Sequence, residues 1–280
     1  MDLLTIVLML LAGSLHAGWH GLVKSGADQT ANLAGMGIVA ALPAMAVILF
    51  APIPPATVWL VLLVSVAFHV GYKLCVANAY ANADLGEAFP LARGAVPLFA
   101  TAIAFPLLGQ TPSAGQCAGI VLISGGLMVL ALARLRRSFD GVLLAATAGA
   151  GLAVAAYSVV DSYGTRLSGN WVDYTAWLIV VDNVTFLLVA RLVRGRALWV
   201  TLSAMKGRVI ASGLLGLISF GVFMWALSRN PVGAVSALRE TSVFFAILIG
   251  ILLHREPLSA RRIGAGLLIV AGILTIAVSK

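Results

Sequence analysis

Apolar residues in this chain come in long runs, separated by short polar or proline-bearing breaks. Roughly 20 residues of helix cross the hydrocarbon core of a bilayer, and ten runs approach that length. Five lie at Leu3–Val23, Thr30–Phe50, Thr57–Ala79, Gly86–Leu108 and Ser113–Ala133. Five more follow at Gly141–Tyr163, Trp171–Leu192, Lys206–Ser228, Val232–Leu253 and Ser259–Val278. Strands of a membrane barrel would be about 10 residues long with alternating polarity, so unbroken runs predict helices. Turn-forming punctuation such as Ala51-Pro-Ile-Pro-Pro55 and Asn230-Pro231 separates them. The pattern predicts an all-α integral membrane protein of ten transmembrane helices.

Composition narrows the class further. Of 280 residues, 61% are hydrophobic and only 10% charged, whereas soluble domains carry about a quarter charged residues. No segment is long or polar enough for a soluble domain. The net charge of +8 belongs to loops, chiefly Arg134–Asp140 and Arg191–Arg208, so no nucleic-acid partner is expected. Three basic residues (Arg166, Arg229, Lys280) fall on the side of the N-terminus and twelve, from Lys24 to Arg262, on the other. The positive-inside rule then puts both termini outside a bacterial inner (plasma) membrane. Cys75 and Cys117 sit inside apolar runs without metal-ligand spacing, and neither a metal nor a cofactor is expected. The first run lacks a basic leader and a cleavage site, so it reads as a span and not a removable signal.

The chain also resembles itself. Leu107-Leu-Gly-Gln-Thr-Pro112 aligns with Leu252-Leu-His-Arg-Glu-Pro257, and the same offset of 145 pairs Gly115 with Ala260 and Gly119 with Gly264. Such small-xxx-small patterns let helices approach closely in lipid. Gly13…Trp19 matches Gly151…Tyr157 at equal spacing. The expected units are residues 1–137 and 138–280, five spans each. An odd number of spans per unit forces opposite orientations, which predicts two inverted five-helix repeats, a common carrier design.

At this point a family becomes visible. Phe223-Met-Trp-Ala-Leu227, Pro231, Leu252-Leu-His-Arg-Glu-Pro-Leu258 and Gly264-Ala-Gly-Leu-Leu-Ile-Val-Ala-Gly272 together resemble the second half of an EamA-type carrier. These carriers are the ten-span branch of the drug/metabolite transporter superfamily. The first half departs from the pattern, with Gln110-Thr111 where the second has Arg255-Glu256. Ala79-Tyr-Ala-Asn-Ala-Asp-Leu85 through Phe89-Pro-Leu-Ala-Arg-Gly94 and Pro97-Leu98 is similar to a subgroup associated with phosphonate gene sets. The resemblance implies a ten-helix basket whose cavity is lined by spans 1, 3, 4, 6, 8 and 9, with spans 5 and 10 peripheral. It implies export of amino acids and related metabolites.

Polar groups within spans are costly and mark cavities or partners. His16, Trp19 and His20 share one face of span 1; His69, Tyr72, Lys73 and Tyr80 share one face of span 3. They suit an aromatic and imidazole-lined cavity, or else core filler and interhelical hydrogen bonds. Arg93 on span 4 and Arg239 on span 9 stand near the starts of corresponding helices, where a guanidinium binds a carboxylate or phosphonate. The rival role is structural, Arg239 being neutralised by Glu240 or another acid and Arg93 by Glu87 or Asp161. Prolines at 90 and 97 predict a kinked or unwound span 4. Tyr157 and Asp161 share a face of span 6, and Trp225 and Ser242 complete the expected binding set. Asp161, Glu240 and His16 are candidates for proton coupling, with Asp161 ranked above Asp182 because span 7 is expected at the periphery.

No HExxH, P-loop, GxSxG or CxxC pattern is present, and no enzyme is expected. The leading reading is a secondary active or facilitative exporter of aromatic or apolar amino acids, working by alternating access as a monomer or homodimer. Its partners are a small-molecule substrate and the lipid bilayer. The alternatives are a carrier of phosphonates or other small organic anions, and an intramembrane structural subunit.

Overall fold

The computed structural model describes residues 1–82, 93–135, 141–246 and 259–279. Within them the chain forms α1 (Leu3–Lys24), α2 (Gln29–Ile48), α3 (Ala56–Asn82), α4 (Val96–Leu108), α5 (Ala114–Leu135) and α6 (Gly141–Leu167). There follow α7 (Trp171–Arg194), α8 (Ala197–Ala204), α9 (Lys206–Leu227), α10 (Val232–Glu240) and α11 (Ala260–Val278). Eight of these helices are long and apolar enough to cross a membrane, and α4 is a shorter apolar helix. Glu87, Pro90, Arg136, Arg137 and the segment from Leu252 to Pro257 with Arg255 and Glu256 lie outside the described residues.

Local chemistry sets the helix ends. Asp2, Asp28, Asn170 and Ser259 each accept a backbone N–H of the first turn that follows, at 2.7–3.3 Å, satisfying donors that have no intrahelical partner. Hydrogen bonds from the Thr5 side chain and backbone hold the Asp2 carboxyl below its ordinary pKa. Gly109 ends α4 in the left-handed region at φ 62°, the glycine stop expected at a C-terminus. One segment differs from the expected pattern. The basic connection Arg191–Arg208 is not a plain loop: α7 runs on to Arg194, and α8 covers eight of the residues that follow.

The helices that bear the two arginines are both interrupted beside them. Gly94 and Ala95 form a turn after Arg93 and before α4, with Pro97 in the first turn. Thr241 breaks the helix after Glu240. A proline signals the first break, since it offers no N–H and restricts the residue before it.

Around this centre α3 packs on α6, α1 on α9, α2 on α7, α4 on α10 and α5 on α11; α2 also meets α9, α3 meets α7, α4 meets α6 and α1 meets α10. The α5–α11 contact is backbone to backbone. A Cβ on Gly119 would lie 2.8 Å from the Gly272 carbonyl oxygen, and one on Gly272 would lie 2.7 Å from that of Gly119. Small residues do permit the approach expected from the repeat, but at Gly119 and Gly272; Gly264 has nothing within 4 Å. The outer surface is apolar, with Leu42, Leu60, Leu188, Leu192, Leu267 and Leu274 exposed. In water such a surface would be a liability, and in lipid it is the matching solvent.

Candidate functional site

Ionisable side chains gather at the middle of the bundle, where they are least tolerated without partners. Arg93 is 1% exposed. Its Nη1 donates to Glu240 Oε1 at 2.9 Å, linking the α4 end of the chain to α10. Its Nη2 lies 2.8 Å from His16 Nε2, 2.8 Å from Tyr72 Oη and 3.2 Å from His20 Nε2. One guanidinium therefore ties together α1, α3 and α10. Tyr80 closes the cluster through a 2.6 Å contact between its hydroxyl and His20 Nδ1, and Lys24 caps the neighbouring backbone by donating to the Tyr80 carbonyl at 2.7 Å.

The cluster is rich in donors. Trp19 Nε1 donates to His16 Nδ1 at 3.1 Å, while Arg93 faces the other ring nitrogen. Tryptophan and arginine only donate, and neutral imidazole accepts through one nitrogen. Neutral His16 therefore accepts from one of these two donors, according to its tautomer.

A second group surrounds Asp161 on α6. Its Oδ1 accepts from Ser65 Oγ at 2.5 Å and from Tyr174 Oη at 3.2 Å, and its Oδ2 lies 3.0 Å from His69 Nε2. Gly164, one turn along α6, makes room for Tyr174: a Cβ there would overlap the tyrosine ring. His69 in turn stacks on Tyr157, with ring centroids 3.9 Å apart. A third group joins α3 to α7, where Lys73 Nζ donates to Asp182 Oδ2 at 2.7 Å and to Asn183 Oδ1 at 2.8 Å.

Arg239 is treated differently from its counterpart. It is 5% exposed, donates from Nη1 to Tyr157 Oη at 2.9 Å, and lies over the Phe223 ring at 4.0 Å. No described carboxylate is within ion-pair reach of it, and its buried Nε has no hydrogen-bond partner. Glu240, the next residue, is committed to Arg93 instead. The pairing expected between Arg239 and Glu240 is therefore replaced by one that crosses from one half of the chain to the other.

Between these groups lies a cavity of about 90 Å³, where roughly 10–15 Å³ on that measure holds one water. His16, Trp19, His69, Tyr72, Lys73, Tyr157, Asp182, Asn183 and Arg239 supply its polar and aromatic lining; Met36, Leu217 and Phe220 belong to its apolar wall. Of the residues singled out from sequence, Trp19, His69, Tyr72, Tyr157, Arg239 and His16 meet here. His20, Tyr80, Arg93 and Glu240 stand behind the lining as a buried network. Asp161 backs His69, whereas Asp182, expected at the periphery, faces the cavity. Trp225 is elsewhere, half-buried beneath Arg229 at 5.4 Å. Ser242 is fully buried with its hydroxyl unpartnered, and it does not line the cavity. Spans 2 and 7 contribute walls that sequence reasoning did not assign them, through Met36, Ile179 and Asn183. Nothing in their periodicity marks this; only the polar pair Asp182-Asn183 within an apolar run hinted at a buried face.

Apolar helices enclosing a polar, charged cavity define a multi-pass membrane transporter of small molecules. The model of the EamA-like transporter family matches residues 140–278, and the chain belongs to that family. A solved crystal structure aligns over 97% of this chain and 94% of its own with a TM-score of 0.74. At 19% identity it speaks for the fold alone. No curated protein matches the chain.

Proposed function

We propose that the chain is a ten-span secondary carrier of two inverted repeats, residues 1–137 and 138–280, that exports small carboxylate-bearing metabolites by alternating access. Aromatic or apolar amino acids are the first choice of substrate. The observation that carries the reading is Arg239, a buried cation lining the cavity with no described carboxylate within ion-pair distance, since Glu240 is bonded to Arg93. An incoming carboxylate meets that need through charge-assisted hydrogen bonds. Asp182 Oδ1, buried without a hydrogen-bond partner, faces the same cavity and suits a substrate ammonium. Trp19, Tyr72, Tyr157 and Phe220 furnish the wall for an apolar side chain.

The helix neighbours support the inverted repeat. Exchanging α1 with α6, α2 with α7, α3 with α9, α4 with α10 and α5 with α11 converts the α3–α6 contact into α1–α9, α2–α9 into α3–α7, and α4–α6 into α1–α10. The α2–α7, α4–α10 and α5–α11 contacts map onto themselves. Lys24, Arg191, Arg194 and Arg196 lie at helix ends of one side, where Arg194 pairs with Asp28 at 3.0 Å; on the positive-inside rule that side is cytoplasmic and both termini are outside the inner membrane.

A second reading, small organic anions such as phosphonates, also draws on Arg239. Arg93 no longer favours it, being engaged with Glu240. Purified protein in proteoliposomes, challenged with labelled amino acids, amines and phosphonates, tests all of this. Leucine or phenylalanine should move, and Trp19→Ala and Arg239→Gln should abolish movement while the protein stays folded. Transport of phosphonate alone would select the second reading, and wild-type rates in both variants would remove these residues from the site.

A further inference from the structure

The charges around the cavity are unevenly paired, and the unevenness bears on how the carrier cycles. Arg93 is answered by Glu240 at 2.9 Å and Lys73 by Asp182 at 2.7 Å. Asp161 does not line the cavity and is answered by Ser65, Tyr174 and His69. Arg239 is the one of these three cations with no described carboxylate within ion-pair distance. Its support is a phenol oxygen and an aromatic face, from Tyr157 on α6 and Phe223 on α9.

From this we infer that the protein is an exchanger: it reorients with solute bound, and at least about tenfold more slowly without it. The inference rests on the reading above, in which a substrate carboxylate sits on Arg239. Any alternating-access carrier passes through a state in which both gates are shut and water has left the site. Removing a lone charge from water is strongly unfavourable, while a charge with a hydrogen-bonded partner tolerates it. Arg239 is already buried and lies over the Phe223 ring. A bound carboxylate makes the shut state neutral around Arg239; an unloaded site leaves the cation desolvated. The shut state is therefore accessible with cargo and a barrier without it. Tenfold corresponds to about 1.4 kcal/mol.

The two ion pairs reinforce the asymmetry. Each joins a helix of the first half to one of the second, α3 to α7 and the Arg93 turn to α10, so neither is free to follow Arg239 as the halves move.

The test uses the wild-type protein in liposomes. Uptake of labelled L-leucine is measured into vesicles preloaded with unlabelled L-leucine, with L-leucinamide, or with buffer alone. The expected initial rate is at least tenfold higher with leucine inside than with buffer. Leucinamide lacks the carboxylate and should give the buffer rate. Equal rates in leucine-loaded and buffer-loaded vesicles overturn the exchange mechanism and leave the carrier reading intact; that result would also follow if Glu240 moved across to serve Arg239 in the unloaded carrier. Stimulation by leucinamide equal to that by leucine overturns the role given to the carboxylate. No uptake even into leucine-loaded vesicles overturns both inference and substrate.

Discussion

Arg93 and Arg239, which the proposed repeat would pair, each stand beside a break in the helix, yet they live in different chemical settings. Arg93 is saturated: one carboxylate, one tyrosine hydroxyl and two imidazoles crowd its guanidinium. Arg239 has one phenol oxygen and the faces of Phe223 and Tyr157. The residue that decides the difference is Glu240, adjacent to one arginine and bonded to the other; the residue after Arg93 is Gly94, which offers no acid. Under the proposed repeat, the two units hold two similar cations but one carboxylate at this position. The structural demand falls on Arg93 and the chemical opportunity on Arg239. Equivalent positions in a repeat need not share a role.

The largest effect expected from breaking this comparison lies at the saturated arginine. Arg93→Met strands the Glu240 carboxylate, and losing one partner of a buried pair costs about 3–5 kcal/mol. Unfolding in detergent should show this, while the double variant Arg93→Met, Glu240→Gln recovers most of the loss, because apolar replacement of a whole pair is often nearly neutral. A double variant as unstable as the single one would mean that the contacts to His16, His20 and Tyr72 matter more than the ion pair.

Arg239→Gln should do the reverse. Folding stability holds or improves, since a cation without a carboxylate leaves a low-dielectric site. Substrate binding loses a charge-assisted bond of about 1.5–3 kcal/mol, a fall in affinity of roughly 10- to 150-fold. The ligand-induced rise in melting temperature is the readout. If Arg239→Gln instead unfolds the protein as Arg93→Met does, the two arginines are equivalent after all.

A smaller effect tests the carboxylate behind the cavity. Gly164→Ala pushes a methyl group into the Tyr174 ring, and overpacking of this kind costs about 1–3 kcal/mol. The displaced hydroxyl leaves Asp161 with Ser65 and His69 only. Transport should slow less than for Arg239→Gln, because Asp161 acts through His69 and does not face the cavity. A loss of transport without loss of stability would place Asp161 closer to the chemistry than its position implies.

Sequence alone carried eight of the spans, which recur as long apolar helices among the described residues, because length and apolar continuity are local properties and a bilayer imposes both. Faces were also legible: His16 with Trp19 and His69 with Tyr72 follow from helical spacing, and they do meet at the cavity. Partners were not. Arg93 and Glu240 are 147 residues apart, Lys73 and Asp182 are 109 apart, and no period in a chain encodes which distant charge another will meet. Glu240 beside Arg239 invited the local pairing, but neighbouring residues on a helix point in different directions, about 100° apart at 3.6 residues per turn. Span 7 was placed outside the cavity on resemblance, and Asp182 with Asn183 shows that a polar pair inside an apolar run deserved more weight. The helix α8 escaped because its eight residues sit within a basic connection whose charges masked the apolar stretch Ala197–Ala204.

The smallest effect sharpens the contrast from a third arginine. Arg229 lies 5.4 Å over Trp225, as Arg239 lies over Phe223, and both aromatic rings belong to α9. Arg229 is exposed, however, so water and salt already serve its charge, and a cation–π contact at an exposed site contributes about 0.5–1 kcal/mol. Trp225→Leu should therefore cost less than 1 kcal/mol in stability and leave leucine uptake at the wild-type rate. Burial, not the presence of an aromatic partner, is what makes Arg239 chemically demanding. A Trp225→Leu variant that binds leucine more weakly would return Trp225 to the substrate path, and with it the view that the site extends toward the Arg229 end of the bundle.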